Sequence, residues 1–377
     1  MSAQRPRKRL PVNPSIEHLK KQAKRLAAAD PSLQLSDAQH QLAGEYGYKS
    51  WAELVHIVET TAQQRVSVKS KSDPLPGAAN RNDIDEVRRI LNEAEFTQHD
   101  LDLALARAVL RFSERRPIAE LLIEHGADPD GQYGGNYGPI VLATGECVDP
   151  DGLQFLIDHG ADVTFPPMNS KYGPTSPMIS ILCTYVRGHN EAKHRYIDIL
   201  LKHGAYVPPD VPPEFMMIHR GDVAGLAAAL DNDPGLLNHR YRKNRERFSS
   251  GYETATLLHC AVEFGEIECI DLLVARGADL NARAEMVEGV GGHTPIFHVI
   301  AGCAQGNLYV LEHLIKQYAS RIDMTVRATI RTADDVCYRD VTPLEFATAT
   351  NGEDTPDWRR SSQREVDLLR NAELSRK

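Results

Sequence analysis

The sequence predicts an all-α fold: a solenoid of stacked helix-turn-helix units with finger loops, preceded by a small helical module at the N-terminus. Short amphipathic segments, each about ten residues long, recur in pairs along the chain. Several pairs are followed by Gly-Ala-Asp or a related tripeptide, and the first two of these tripeptides start 34 residues apart, at 126 and 160. Because one such pair is too small to bury its own apolar face, neighbouring pairs have to stack.

The clearest pair lies in residues 256–283. An apolar run at helical spacing ends at Gly265, and a second apolar stripe follows it, made of Ile267, Ile270, Leu272 and Leu273. We expect Gly277 to end the second helix in the left-handed conformation, which glycine adopts without a Cβ penalty. We also expect Leu272 to lie in the core and Glu263 to be exposed.

These residues resemble an ankyrin repeat. Thr256, Leu258 and His259 match the Thr-Pro-Leu-His motif of that family, with Leu257 in place of the proline. Gly277-Ala278-Asp279 match its closing turn. The resemblance implies that His259 has a structural hydrogen-bonding role, which we favour over catalysis or metal binding.

The same pattern recurs in weaker form. Ser176-Pro177-Met178, Thr294-Pro295-Ile296 and Thr342-Pro343-Leu344 are typical of helix starts, since proline suits the first turn. We expect about eight units, several of them degenerate, in residues 78–377. Phe297 and Glu345 stand in the place of the motif's histidine. Those units are therefore expected to lack the side chain that bridges the turn backbone.

Residues 1–59 are predicted to form a basic arm and a three-helix module. Ser36-Asp37-Ala38-Gln39 and Ser50-Trp51-Ala52-Glu53 have the pattern of capping boxes that open its second and third helices. The phrases LKKQAKRL and GYKSWAELVHIVE resemble the leader that precedes ankyrin repeats in some bacterial proteins. Residues 60–77 are polar, contain two prolines near their end and are predicted to be a linker.

Charge and composition narrow the classes of partner. The net charge is −9, yet the first 25 residues hold eight Lys/Arg and one Glu, so the remainder is strongly acidic. Nucleic acid is therefore disfavoured as a partner, except through the basic arm. No apolar run is long enough to span a membrane, and the six cysteines form no C-x-x-C pair. We expect a cytoplasmic monomer with reduced thiols.

No pattern in the sequence points to an enzyme, a cofactor or a metal. The glycine clusters at 131–138 and 289–292 lack the flanking strand and Lys-Ser/Thr of a phosphate loop. Cys260 and Cys269 have no second ligand pair at zinc spacing, which favours buried thiols. The sequence therefore predicts no catalytic, cofactor or metal site.

Three long loops and the end of one inner helix are candidates for contact with a protein partner. Arg and Tyr are enriched at interface hot spots, and a large aromatic such as Phe264 at a non-core position invites a covering surface. The alternatives to partner contact are that the loops are merely solvated and that Phe264 packs under its own neighbouring loop. The predicted protein-binding residues are Tyr133, Tyr137, Tyr172, Arg242, Arg245, Tyr252, Glu263 and Phe264.

The favoured function is a non-catalytic ankyrin-repeat protein that binds a protein partner through its concave face and finger loops. Two other classes remain open. One is a nucleic-acid-associated adaptor that uses the basic arm, and the other is an enzyme without a recognised motif.

Overall fold

A computed structural model describes residues 16–30, 32–63, 74–131, 139–170, 173–184, 186–209, 211–241, 255–300, 307–332, 336–352, 355 and 360–375. The chain divides into two compact units, Met1–Lys171 and Tyr172–Lys377. None of the helices within the described ranges is long and apolar enough to cross a membrane.

Three helices form the N-terminal module: α1 Ile16–Ala29, α2 Leu35–Glu45 and α3 Trp51–Gln63. Leu19, Leu42 and Leu54 are buried where the three helices meet. One half of the capping box predicted at Ser50 is confirmed, because the Ser50 hydroxyl accepts a 3.1 Å hydrogen bond from the Glu53 backbone N–H. The Glu53 carboxylate accepts its 2.7 Å bond from the Lys49 N–H instead of the Ser50 N–H. The box predicted at Ser36 is wrong, since α2 begins one residue before it and has no side-chain cap.

The stretch predicted as a linker is helical at both ends. Helix α3 continues to Gln63, and the next helix begins at Pro74. Residues 64–73 lie outside the described residues. The separation of residues 1–59 as an independent domain therefore stays a prediction.

The first unit continues with three helix pairs. Within each pair the two helices pack on each other, and both helices of a pair contact their counterparts in the next. The pairs are α4 Pro74–Asn80 with α5 Ile84–Glu93, α6 Gln98–Val109 with α7 Phe112–Glu124, and α8 Val141–Glu146 with α9 Pro150–Asp158. Strand β1, Met168–Ser170, ends this unit.

Within the described residues, the second unit holds five further pairs, and one apolar core that extends from Ile218 to Ala372 joins the last four of them. It begins with strand β2, Gly173–Thr175. The pairs are α10 Pro177–Leu182 with α11 Asn190–Lys202, α12 Pro213–His219 with α13 Val223–Asn232, α14 Leu257–Phe264 with α15 Ile267–Ala275, the 3₁₀ helix Pro295–Val299 with α16 Leu308–Tyr318, and α17 Pro343–Thr350 with α18 Gln363–Leu374. A second 3₁₀ helix, Pro234–Asn238, follows α13.

Glycines end the second helix of four pairs in the left-handed region. The φ angles are 95° at Gly126, 102° at Gly160, 73° at Gly204 and 96° at Gly277. A side chain with a Cβ atom disfavours this region, so glycine closes each turn at low cost. The conformation predicted for Gly277 is thereby confirmed.

One of the finger loops contains a short β-hairpin. Strands β3 Ala328–Arg331 and β4 Cys337–Val341 form an antiparallel hairpin in which Ile330 pairs with Tyr338. Tyr338 also stacks on Phe346 of α17, with ring centroids 5.2 Å apart. The predicted fold class is confirmed as a mostly helical array of stacked helix pairs, and these short strands lie in the fingers.

The apolar stripe of α15 is rotated slightly from the predicted one. Leu273 is fully buried at 0% exposure, whereas Leu272 is only partly buried at the edge of the core. Both residues share the predicted stripe, and only their tertiary neighbours decide which of them is enclosed.

Replacing Leu273 by alanine should lower the free energy of unfolding by roughly 2–5 kcal/mol, because the change removes buried apolar surface and leaves a cavity. The matched control is Leu374→Ala in α18, where the leucine is 59% exposed and the cost should stay within about 0.5 kcal/mol. Urea melts of both variants measure this. Equal costs at the two leucines would contradict the packing.

Candidate functional site

Helix α14 begins with the hydrogen bonds that its motif implies. The Nδ1 atom of His259 accepts a 3.2 Å hydrogen bond from the Thr256 backbone N–H and lies 2.9 Å from the Thr256 hydroxyl. His259 is 0% exposed, and its burial, reinforced by the rings of His298 and His293, lowers its pKa well below the ordinary value. His259 is thus a neutral capping residue, and its structural role is confirmed.

The predicted loss of this bond in the α17 unit is wrong for Glu345. The Glu345 carboxylate accepts a 2.9 Å hydrogen bond from the Thr342 N–H, and the Thr342 hydroxyl accepts one from the Glu345 N–H. Glutamate therefore replaces histidine in a capping box of the ordinary kind. Phe297, in the 3₁₀ helix, has no such polar group.

Phe264 does not lie at the non-core position that the sequence suggested. It is 4% exposed, and its ring lies 4.1 Å from the ring of His219, centroid to centroid. The Arg187 guanidinium carbon lies 4.6 Å from the ring centroid and the Lys193 ammonium 4.4 Å, within the range of cation–π contacts. The expectation of an exposed Phe264 that contacts a partner is therefore wrong.

Glu263 is also covered, contrary to the predicted exposed position. Its side chain is 14% exposed, and its two carboxylate oxygens accept hydrogen bonds from Arg187 Nη2 at 2.5 Å and His298 Nδ1 at 2.9 Å. Burial alone would raise the pKa of Glu263, but the Arg187 guanidinium and the His298 ring together lower it to about 2. An interface role for Glu263 would require this network to open.

A second buried ion pair lies beside the first. The Glu266 carboxylate is 3% exposed and lies 3.1 Å from the ammonium of Lys193 and 3.0 Å from His194 Nε2. Burial lowers the pKa of Lys193, an effect that Glu266 opposes. Burial, with added repulsion from Lys193 and Arg187, also lowers the pKa of His219 well below its ordinary value.

The two buried ion pairs surround the C-terminal end of α14. The carbonyl oxygen of Glu263 accepts hydrogen bonds from Arg187 Nε at 2.9 Å and Asn307 Nδ2 at 2.8 Å. The carbonyl oxygen of Gly265 accepts hydrogen bonds from Asn190 Nδ2 at 2.9 Å and from the Tyr309 hydroxyl at 2.8 Å. Helix ends leave such carbonyls without partners in their own helix. Side chains of other helix pairs fill this need here.

Glycine is required at position 265 for two reasons. Its φ is 70°, and an added Cβ would lie 2.1 Å from the Tyr309 hydroxyl oxygen. The close approach lets Tyr309 reach the carbonyl at the helix end. The chemistry of the cluster is therefore the joining of helix pairs.

Six of the eight predicted protein-binding residues cannot be placed. They lie outside the described residues and stay predictions: Tyr133, Tyr137, Tyr172, Arg242, Arg245 and Tyr252.

Two neighbouring fingers form a connected surface that sequence reasoning missed. The first finger is described over residues 282–294 and the second over residues 326–332 and 336–341. Gly291 and Thr329 exchange two backbone hydrogen bonds of 2.8 and 3.0 Å across the two fingers. Met286 on the first is 55% exposed, and Val336 on the second is 39% exposed. The only sequence signal for this surface is an apolar residue beside a turn in each loop.

Salt bridges fix the second finger. The Arg327 guanidinium donates to the carboxylates of Asp340 at 3.0 Å and Glu345 at 2.8 Å. The Arg283 guanidinium of the first finger donates to the Arg327 carbonyl at 2.7 Å. The fingers are therefore held by backbone and side-chain bonds and present their exposed apolar residues from a defined scaffold.

Within the described ranges, no group of three or more His, Cys, Asp or Glu residues could hold a metal ion. Cys260 and Cys269 are free and buried. Burial raises the pKa of Cys260 far above its ordinary value and that of Cys269 to about 12. Both are therefore protonated, unreactive core thiols at neutral pH.

Comparisons with known proteins agree with the motif. Residues 255–285 match the family model of the ankyrin repeat. Among solved structures, the chain is similar to the human ASB11 ankyrin repeat domain, with 18% identity over 63% of this chain and 96% of that one, at a TM-score of 0.36. It is also similar to the ankyrin repeat domain of Bcl-3, a member of the IkappaB family, with 18% identity over 80% of this chain and 100% of that one, at a TM-score of 0.29. Both scores are low, and no conclusion rests on them.

No curated protein matches the chain. The family match and the paired helices together define the fold: the chain contains an ankyrin repeat at 255–285, in a mostly helical, ankyrin-repeat-like arrangement of stacked helix pairs.

The buried Glu263 carboxylate makes stability depend on pH. Its folded pKa of about 2 lies below the ordinary 4.5, so its contribution is full above about pH 4.5 and is lost as the pH falls towards 2. Glu263→Gln should therefore lower the free energy of unfolding by roughly 2–4 kcal/mol at pH 7. This difference from the parent should shrink steadily below about pH 4.5.

Urea melts between pH 7 and pH 3 measure the difference. His219 and His259, whose pKa values lie below the ordinary 6.5, destabilise both proteins as the pH falls below that value, so parent and variant are compared at each pH. A difference that does not change with pH, or a variant as stable as the parent at pH 7, would show that the carboxylate is not held as an anion.

Proposed function

We propose that the protein is a non-catalytic interaction module that binds a protein partner through its finger loops. The observation that carries this proposal is the connected finger surface of residues 282–294, 326–332 and 336–341, which exposes Met286 and Val336 beside the matched ankyrin repeat. Exposed apolar side chains on a fixed scaffold are typical of interaction sites.

The proposal differs from the sequence prediction in where the partner binds. The inner helix α14 is closed off, because Arg187, Lys193 and His298 cover Glu263 and Phe264. The fingers remain open. We therefore assign the partner surface to the two fingers, and contacts through the long loops that hold Tyr133, Tyr172 and Arg242 stay predictions.

A cytoplasmic location, a monomeric state and the likeness of residues 1–59 to a bacterial leader stay predictions. So does the alternative of a nucleic-acid adaptor that uses the basic arm, which the net charge of −9 disfavours. A steep salt dependence of binding would distinguish that alternative, since phosphate contacts release counterions.

Replacing both Met286 and Val336 by glutamate should weaken partner binding by about tenfold or more while leaving the melting temperature unchanged. The expectation follows because central apolar contacts carry most of the binding energy, and tenfold corresponds to about 1.4 kcal/mol. The partner is first captured by a photo-crosslinking residue at position 286, and the crosslinked peptides are mapped. Affinity is then measured for parent and variant.

Leu374→Glu is the matched control, since Leu374 is also exposed and apolar but lies at the end of α18. It should leave binding unchanged. Full affinity of the finger variant, or equal losses in the finger variant and the control, would contradict the proposed surface.

A further inference from the structure

Two repeat ends of this chain differ at one informative position. The second pair ends in Gly-Ala-Asp-Pro-Asp, residues 126–130, and the sixth ends in Gly-Ala-Asp-Leu-Asn, residues 277–281. Their fifth residues, Asp130 and Asn281, are therefore counterparts. Aspartate and asparagine have nearly the same shape, but only asparagine carries N–H donors.

The two residues share one hydrogen bond to the next repeat end. The Oδ1 atom of Asp130 accepts a 2.6 Å hydrogen bond from the backbone N–H of Asp162. The Oδ1 atom of Asn281 accepts one of the same length from the N–H of Asp323. In both places this side chain joins consecutive repeat ends.

The second polar atom of each side chain, Nδ2 in Asn281 and Oδ2 in Asp130, makes a different kind of hydrogen bond. Asn281 Nδ2 donates a 2.8 Å hydrogen bond to the carbonyl of Arg321, which lies two residues before Asp323. The counterpart carbonyl belongs to Gly160, two residues before Asp162. The Asp130 side chain has no N–H group to donate to this carbonyl. Two acceptors, Asp130 Oδ2 and the Gly160 carbonyl, therefore need a donor from elsewhere. Asp130 is 7% exposed, so water can satisfy it only in part.

Arg25 of α1 supplies both donors. Its Nη1 donates to the Gly160 carbonyl and its Nη2 to Asp130 Oδ2, while its Nε lies 3.7 Å from Asp162 Oδ2. Only a planar guanidinium fork can serve these acceptors together, whereas a lysine ammonium is a point charge. Helix α9 ends at Asp158, so the negative end of its dipole also favours a cation at Gly160.

We propose that Asp130 makes the junction between the second and third repeat ends a binding site for an arginine side chain. Arg25 occupies this site within the chain and thereby latches the N-terminal module to the repeats. The Arg25 side chain is 29% exposed, so the site is open to solvent on one side. When Arg25 withdraws, an arginine supplied by another molecule takes its place.

The latch is tested by hydrogen–deuterium exchange of the full chain. Asp130→Asn should let the amide at position 130 bond the Gly160 carbonyl, as Asn281 bonds Arg321, and so release Arg25. Amides of α1 should then exchange roughly tenfold faster or more, as expected for the loss of charge-assisted hydrogen bonds. The Asp162 amide should stay protected, because the asparagine keeps its Oδ1 acceptor.

Two variants serve as controls. Arg25→Lys keeps the charge but not the fork, and it should loosen α1 as Asp130→Asn does. Asn281→Asp makes the reverse change at the sixth repeat end and should leave α1 exchange as in the parent. Unchanged exchange in α1 for both Asp130→Asn and Arg25→Lys would overturn the latch. Since Arg25 is not part of the repeat core, Arg25→Lys decides the matter even if Asp130→Asn folds poorly.

Binding of an arginine from another molecule to this site is tested with a blocked amino acid as the probe. N-acetyl-arginine N-methylamide is titrated into ¹⁵N-labelled Arg25→Ala protein, and the amide resonance of Asp162 is followed. We expect a saturable shift with the arginine probe, a much smaller one with the lysine analogue, and none in the Arg25→Ala, Asp130→Asn double variant. Equal shifts for arginine and lysine, or a shift that survives Asp130→Asn, would overturn the site.

Discussion

The backbone carbonyls at the ends of short helices are the constraint on which this structure depends. A helix of eight residues such as α14 leaves as many carbonyls without a partner as a long one does, and burial makes each costly. Side chains of the fourth and seventh helix pairs provide the donors: Arg187 and Asn307 for the carbonyl of Glu263, Asn190 and Tyr309 for that of Gly265. Hydrogen bonds to buried carbonyls, and not apolar stacking alone, therefore tie the sixth pair to the fourth and the seventh.

This constraint explains why charges are buried in an otherwise apolar core. A buried ion pair adds little net stability over apolar packing, but removal of one partner is strongly destabilising. Arg187 reaches the end of α14 only by entering the core, and Glu263 compensates its charge there. The same cluster covers the inner face of α14. The proposed partner surface therefore lies on the fingers, at Met286 and Val336. The structural role and the functional proposal are thus two consequences of one arrangement.

Local features could be predicted from the sequence, and long-range ones could not. The Gly277 turn and the His259 cap depend on residues within one turn of chain, and both were predicted correctly. Glu263 and Phe264 were misplaced because the side chains that cover them come from other helix pairs, with Arg187 76 residues away. The hydrophobic periodicity of a helix predicts its own apolar face, but not which side chains of other helices cover it.

The repeat ends show an intermediate case. An alignment of the two motifs places Asp130 opposite Asn281, and the loss of an amide donor could have been noticed from that alone. That Arg25 supplies the missing donors could not, because a basic helix of this composition is equally typical of a solvated arm. The charge of the leader suggested phosphate as a ligand, whereas Arg25 contacts carboxylates of the same chain.

The most direct test of the central claim is a double-mutant cycle between Arg187 and Glu263. Each residue is replaced by alanine, singly and together, and the free energy of unfolding is measured in urea at pH 7. If buried polar contacts join the helix pairs, each single change should cost roughly 3–5 kcal/mol, and the coupling energy should exceed about 1.5 kcal/mol. Effects that add to within about 0.5 kcal/mol would contradict the account.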